Sequence, residues 1–69
     1  MWKKVGDKWY LPRGRYIAIA ASTEHHGLSA GSWKIIALQG LISQTVARGT
    51  ALGVEEAKNN AERALEGLA

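Results

Sequence analysis

The chain has 69 residues, nine Lys or Arg against six Asp or Glu for a net charge of +3, and no cysteine. That length makes one domain, residues 1–69, which buries only about 60% of its unfolded surface, so a second copy or a partner would add to a thin stability margin. Without cysteine there is no disulfide framework and no thiolate chemistry. No apolar run nears the roughly 20 residues of a membrane span and nothing at the N-terminus reads as a signal peptide, so a soluble, cytoplasmic protein with no membrane partner is expected.

Taken in chain order, the first predicted element is a hairpin. Val5-Gly6-Asp7-Lys8 carries a Gly-led two-residue turn that sets Val5 against Lys8, Lys4 against Trp9 and Lys3 against Tyr10. Alternation then places Trp2, Lys4, Trp9 and Leu11 on one face and Lys3, Val5, Lys8 and Tyr10 on the other. Leu11-Pro12-Arg13-Gly14 has proline second and glycine fourth, which predicts a type I turn. The mostly apolar run Arg15 to Ala21 predicts a strand, because its β-branched and aromatic residues favour extended backbone. Ser22 to Gly31, rich in Gly, Ser, Thr and His, predicts a loop.

Ser32 to Leu38 and Leu41 to Ala47 predict a second hairpin around a Gln39-Gly40 turn. One of its faces collects Trp33, Ile35, Ala37, Ile42, Gln44 and Val46; the other collects Lys34, Ile36, Leu38, Leu41, Ser43 and Thr45. The first holds more apolar bulk and is assigned to the core. Ile36, Leu38 and Leu41 then form an apolar patch, either a contact surface through which a homodimer would form or a surface covered by a partner protein or by the N-terminal hairpin. From Val54 the apolar period changes to 3.6: Val54, Ala57, Ala61, Ala64, Leu65 and Leu68 fall on one face of a helix over about 54–67. Glu55 and Glu56 suit the positive end of its dipole, and Gly53 stands at the N-cap position. The strands fall within 2–48. The fold class expected is α+β: an antiparallel sheet of four to five strands with one C-terminal helix packed on one face.

Charge divides along the chain. Residues 1–50 carry a net +5 and residues 51–69 a net −2. Such asymmetry bears on partners rather than on fold. Chemistry is harder to place. Glu24-His25-His26 is the one cluster of metal-ligand residue types, but adjacent histidines diverge and no cysteine or third histidine completes a site. No metal and no cofactor are expected. The glycines match neither a phosphate loop nor a dinucleotide fingerprint, and no nucleophile has a positioned base. The chain reads as non-enzymatic. Basic residues interleaved with aromatics make Trp2, Lys3, Lys4, Lys8, Trp9, Tyr10, Arg13 and Arg15 the candidate partner-binding residues, with lysine suited to phosphate and Trp or Tyr to stacking.

Two resemblances bear on partners. The strand residues Trp33 and Ile35, followed by Gly49, Ala51, Glu55, Glu56, Ala57 and Lys58, resemble the endings of small phage and mobile-element proteins, a type that includes anti-CRISPR inhibitors. That resemblance implies a non-enzymatic inhibitor, in the host cytoplasm if phage-encoded, that binds and occludes a bacterial nucleoprotein defence complex. Glu55, Glu56, Ala57, Asn60, Ala61, Ala64 and Leu65 also resemble the closing helix of HicB-type antitoxins, which implies an antitoxin role. The alternative from the residues alone is a small nucleic-acid-binding protein that uses the basic and aromatic N-terminal hairpin.

Overall fold

The computed structural model describes residues 1–25 and 28–68, with backbone alone for residues 24, 25, 28 and 29. Five strands, β1 (Lys3–Val5), β2 (Lys8–Arg13), β3 (Tyr16–His25), β4 (Leu28–Gln39) and β5 (Ile42–Ala51), are followed by one helix, α1 (Val54–Leu68). The strands form a single antiparallel sheet in the order β1-β2-β3-β4-β5, and α1 packs across one face, contacting β3, β4 and β5. This is the α+β arrangement expected.

Three of the four strand connections are two-residue turns, each with glycine first: Gly6-Asp7, Gly14-Arg15 and Gly40-Leu41. All three glycines have positive φ, 66°, 61° and 63°. That conformation carries little penalty without a Cβ and matches the twist of the flanking strands. The β1–β2 register, Lys3 opposite Tyr10 and Val5 opposite Lys8, is the predicted one.

The predicted turn at Leu11–Gly14 is corrected. Those residues continue β2 through Arg13, and the chain reverses one step later at Gly14-Arg15. Pro12 is tolerated because Arg13 and Tyr16 close the turn, so position 12 directs its missing N–H away from β3. On that side β1, which ends opposite Tyr10, has no partner to offer. The predicted loop over Ser22–Gly31 is also corrected: Ser22–His25 pairs with Leu28–Gly31 as the continuation of β3 and β4. Gly31, one of the residues that suggested a loop, stands at a close approach. A Cβ on Gly31 would lie 2.3 Å from the carbonyl oxygen of Gly53, so only glycine lets the link into α1 sit against the sheet.

The second hairpin turns at Gly40-Leu41 rather than Gln39-Gly40, and β5 runs on to Ala51. Its register shifts between Ile35 (opposite Ala47) and Ile36 (opposite Thr45), leaving Val46 as an unpaired bulge residue. Val46, predicted in the core, is accordingly exposed. The bulge changes the face of everything beyond it, because a one-residue slip moves each side chain to the other side of the sheet.

The core lies between sheet and helix. Ala57, Ala61 and Leu65, spaced four apart, bury against Leu11, Ala18, Ala20, Ile35 and Ala37. Alanines on both surfaces let the two layers approach closely, and Ile35 and Leu65 supply the large fully buried side chains. Helix entry follows the sequence. The Gly53 carbonyl accepts the first intrahelical bond from the Ala57 N–H at 2.9 Å, and the Glu56 carboxylate reaches back to the Leu52 N–H at 3.3 Å, a variant of the capping box.

Candidate functional site

The eight residues predicted to bind a partner do not make one surface. Trp2, Lys4, Trp9 and Arg13 take the helix side of the sheet by register, Lys3, Lys8 and Tyr10 take the opposite side, and Arg15 lies in the β2–β3 turn. On the helix side the aromatics fasten the N-terminal hairpin to α1. The Trp2 indole N–H donates to a Glu62 carboxylate oxygen. The Lys58 ammonium sits 4.1 Å from the centre of the Trp9 ring, with Lys4 on the same ring at 5.8 Å. Lys58 is also paired with Glu55 at 2.8 Å. Arg15 stacks on Tyr16 at 5.6 Å. Trp2 and Trp9 thus have structural partners within the chain.

The other side of the sheet carries no helix. The strand registers align its side chains in rows. One row across all five strands is Lys3, Tyr10, Ile19, Lys34 and Arg48. Next to it run Val5, Lys8, Ala21, Ser32 and Thr50. On the opposite flank lie Pro12, Ile17, Ile36 and Thr45, and then Leu38 and Ser43. Four cations, Lys3, Lys8, Lys34 and Arg48, therefore share this open face and all four are exposed. Among the described residues no acidic side chain belongs to it; Asp7 is in the β1–β2 turn, and Glu55, Glu56, Glu62 and Glu66 are on α1.

Lys34 and Arg48 are directly opposite one another on neighbouring strands. Cβ atoms in such a pair are about 5 Å apart, and like charges placed so oppose sheet pairing. The placement depends on the Val46 bulge: an unbroken alternation from Ile42 would send Arg48 to the helix side. A shallow depression of about 500 Å³ lies on this face, bordered by Lys8, Ile19, Ser32, Lys34, Arg48 and Thr50 among others. Its lining offers cations and hydroxyls beside the apolar Ile19, Ala21 and Trp33, which suits an anion attached to something less polar.

Sequence reasoning put Lys3, Lys8 and Tyr10 together on one face of the N-terminal hairpin, without assigning that face to a side of the sheet, and did not single out Lys34 or Arg48 as contacts. Lys34 was legible on the face of the second hairpin opposite the core, while Arg48 was hidden by the bulge. Of the predicted self-association patch, Ile36 and Leu38 are on the open face, Leu38 at 43% exposure, while Leu41 is in the turn and fully exposed. The N-terminal hairpin does not cover the patch; it extends the sheet edgewise as β1 and β2. The Glu24-His25-His26 cluster lies outside the residues whose side chains are described, and no metal-binding group is found among the described residues. Likewise no helix among them is long and apolar enough to cross a membrane. Compared with protein-family models, curated proteins and solved structures, the chain matches none.

Proposed function

We propose that the chain is a non-enzymatic binding module whose open sheet face engages the phosphate backbone of a nucleic acid. The observation that carries this reading is the direct opposition of Lys34 and Arg48 on a face that also holds Lys3 and Lys8 and, among the described residues, no acid. Opposed cations weaken the free sheet, and a bound phosphate turns that repulsion into shared attraction. The surface is the helix-free face as a whole rather than the N-terminal hairpin.

Neutralising about four phosphates gives a log–log salt slope of about −3 for a single strand and somewhat steeper for a duplex. Binding should therefore weaken on the order of 50-fold between 50 and 200 mM salt. Fluorescence anisotropy with labelled DNA and RNA oligonucleotides at those two salt concentrations is the test. The double variant Lys34→Gln/Arg48→Gln should lose affinity and flatten the slope by roughly 1.4. Absence of salt-sensitive binding at 50 mM would overturn the reading.

A second reading has its own support. Pro12, Ile17, Ile36 and Leu38 give the same face an apolar flank, which favours a protein or nucleoprotein partner. Occlusion of a bacterial CRISPR-like complex by such a surface is the inhibitor form of this reading. Capture of a defined protein complex from nuclease-treated bacterial lysate, lost in Leu38→Lys, would favour it over direct nucleic-acid binding.

A further inference from the structure

We infer that the nucleic acid taken by the open face is a single strand that crosses the β-strands, with phosphates along the basic rows and bases over Tyr10 and the isoleucine flank. This rests on the nucleic-acid reading above and adds the form and direction of the ligand. The cations are not scattered over the face. One row is Val5, Lys8, Ala21, Ser32 and Thr50, the next is Lys3, Tyr10, Ile19, Lys34 and Arg48, and the third is Pro12, Ile17, Ile36 and Thr45. Among the described residues the charge of this face is therefore confined to two neighbouring rows, about 7 Å apart along the strand direction, and the third row carries none.

A single strand has the same division, with a charged rail on one side and flat apolar bases on the other. A duplex hides its base faces in the stack and presents phosphate on its outside, so it would leave the Ile17–Ile36 flank against sugar and water. The basic row runs from Lys3 on β1 to Arg48 on β5, four inter-strand steps or about 19 Å. That length accommodates on the order of four nucleotides, the lower end of what one small sheet domain covers. Tyr10 stands in the basic row next to Lys3, half-buried by its neighbours, and presents its ring where a base beside a held phosphate would stack.

The experiment compares a fluorescent oligothymidylate with a duplex of equal length against the full chain, at 50 and 200 mM salt, with Tyr10→Leu, Ile36→Thr and Lys34→Gln alongside. Circular dichroism establishes that each variant is folded. The single strand should bind at least about tenfold tighter than the duplex, and Tyr10→Leu should weaken it by roughly tenfold with the salt slope unchanged. Lys34→Gln should instead reduce the slope by about 0.7. If Tyr10→Leu folds poorly, Ile36→Thr carries the same test of the apolar flank. Duplex binding as tight as single-strand binding, or equal loss for both polymers in Tyr10→Leu, overturns this inference and leaves phosphate recognition standing. No binding of either polymer removes both.

Discussion

Replacing Gly31 by alanine tests the close approach of the sheet to the link into α1. The added Cβ would be placed 2.3 Å from the Gly53 carbonyl oxygen, 2.6 Å from its carbon and 3.1 Å from the Val54 nitrogen. Non-bonded heavy atoms reach their optimum near 3.5 Å, so sheet and helix entry must separate by about 1 Å. What must move is backbone, and it is the carbonyl that accepts the first bond of α1 from Ala57. Loss of that bond costs about 1 kcal/mol and overpacking a further 1–3 kcal/mol. Against this, removing a glycine restricts the unfolded chain and contributes roughly 0.4–1 kcal/mol of stability.

The net expectation is destabilisation by about 2 kcal/mol, which for a domain of this size lowers the melting temperature by about 8–16 °C. Thermal unfolding followed by far-UV circular dichroism reads it. Gly67→Ala is the control: it is helical, nothing lies within 4 Å of its added Cβ, and the change should be neutral or raise stability by up to about 0.5 kcal/mol near the frayed end. If Gly31→Ala melts at or above the parent, the glycine is not there for a close approach and the reason given for it fails.

The remaining expectations concern the core, the hairpin clasp and the open face. Leu65→Ala empties the largest buried position on the helix and should cost about 2–5 kcal/mol in urea unfolding, enough to leave a 69-residue domain barely folded. A double-mutant cycle with Lys58→Met and Trp9→Leu should return a coupling of about 0.5–1 kcal/mol, since the Lys58 side chain is only 15% exposed; a coupling of zero would show that the Lys58–Trp9 contact does not help to hold the hairpin. Arg48→Thr should stabilise the free protein by a few tenths of a kcal/mol at low salt, by relieving its opposition to Lys34, while weakening nucleic-acid binding; loss of stability would contradict the repulsion argument. Leu38→Lys should melt within a few degrees of the parent and sediment as a monomer wherever the parent self-associates, whereas unfolding would place Leu38 in the core.

Periodicity carried most of the architecture. Ala57, Ala61 and Leu65 repeat at helical spacing, and Gly6 stands where a hairpin turn needs positive φ, so α1 and the β1–β2 register were legible from local chemistry. The misplaced turns share one cause. At Pro12-Arg13-Gly14 and at Gln39-Gly40 two turn readings compete, and glycine at the first central position prevails in both because it matches strand twist. The stretch around Ser22–Gly31 reads as loop from its Gly, Ser, Thr and His content, yet Gly31 answers to the Gly53 carbonyl, a contact that a local reading does not contain. The Val46 bulge is equally non-local. Nothing in Thr45-Val46-Ala47 marks it, yet it decides which side Arg48 takes and therefore whether the open face has four of these cations or three.

Size and charge together explain why the open face has the character it does. One 15-residue helix can cover only one side of a five-stranded sheet, so the opposite side of β2, β3 and β4 must meet water or a partner. A face serving only solvent would be expected to alternate charges of both signs among its polar residues, since opposite charges across strands add to pairing. Here the acids of the C-terminal segment are on α1, where Glu55 and Glu56 favour the dipole and Glu62 holds Trp2, while seven of the nine Lys and Arg belong to the strands and their turns. The sequence-level split of +5 and −2 thus becomes a separation between layers. Such a separation does not improve the core; it leaves Lys34 and Arg48 in mutual repulsion on a surface whose next row is apolar. That arrangement comes at a cost to the free fold, and on the reading proposed above a polyanion whose own structure divides into charge and apolar planes would offset it.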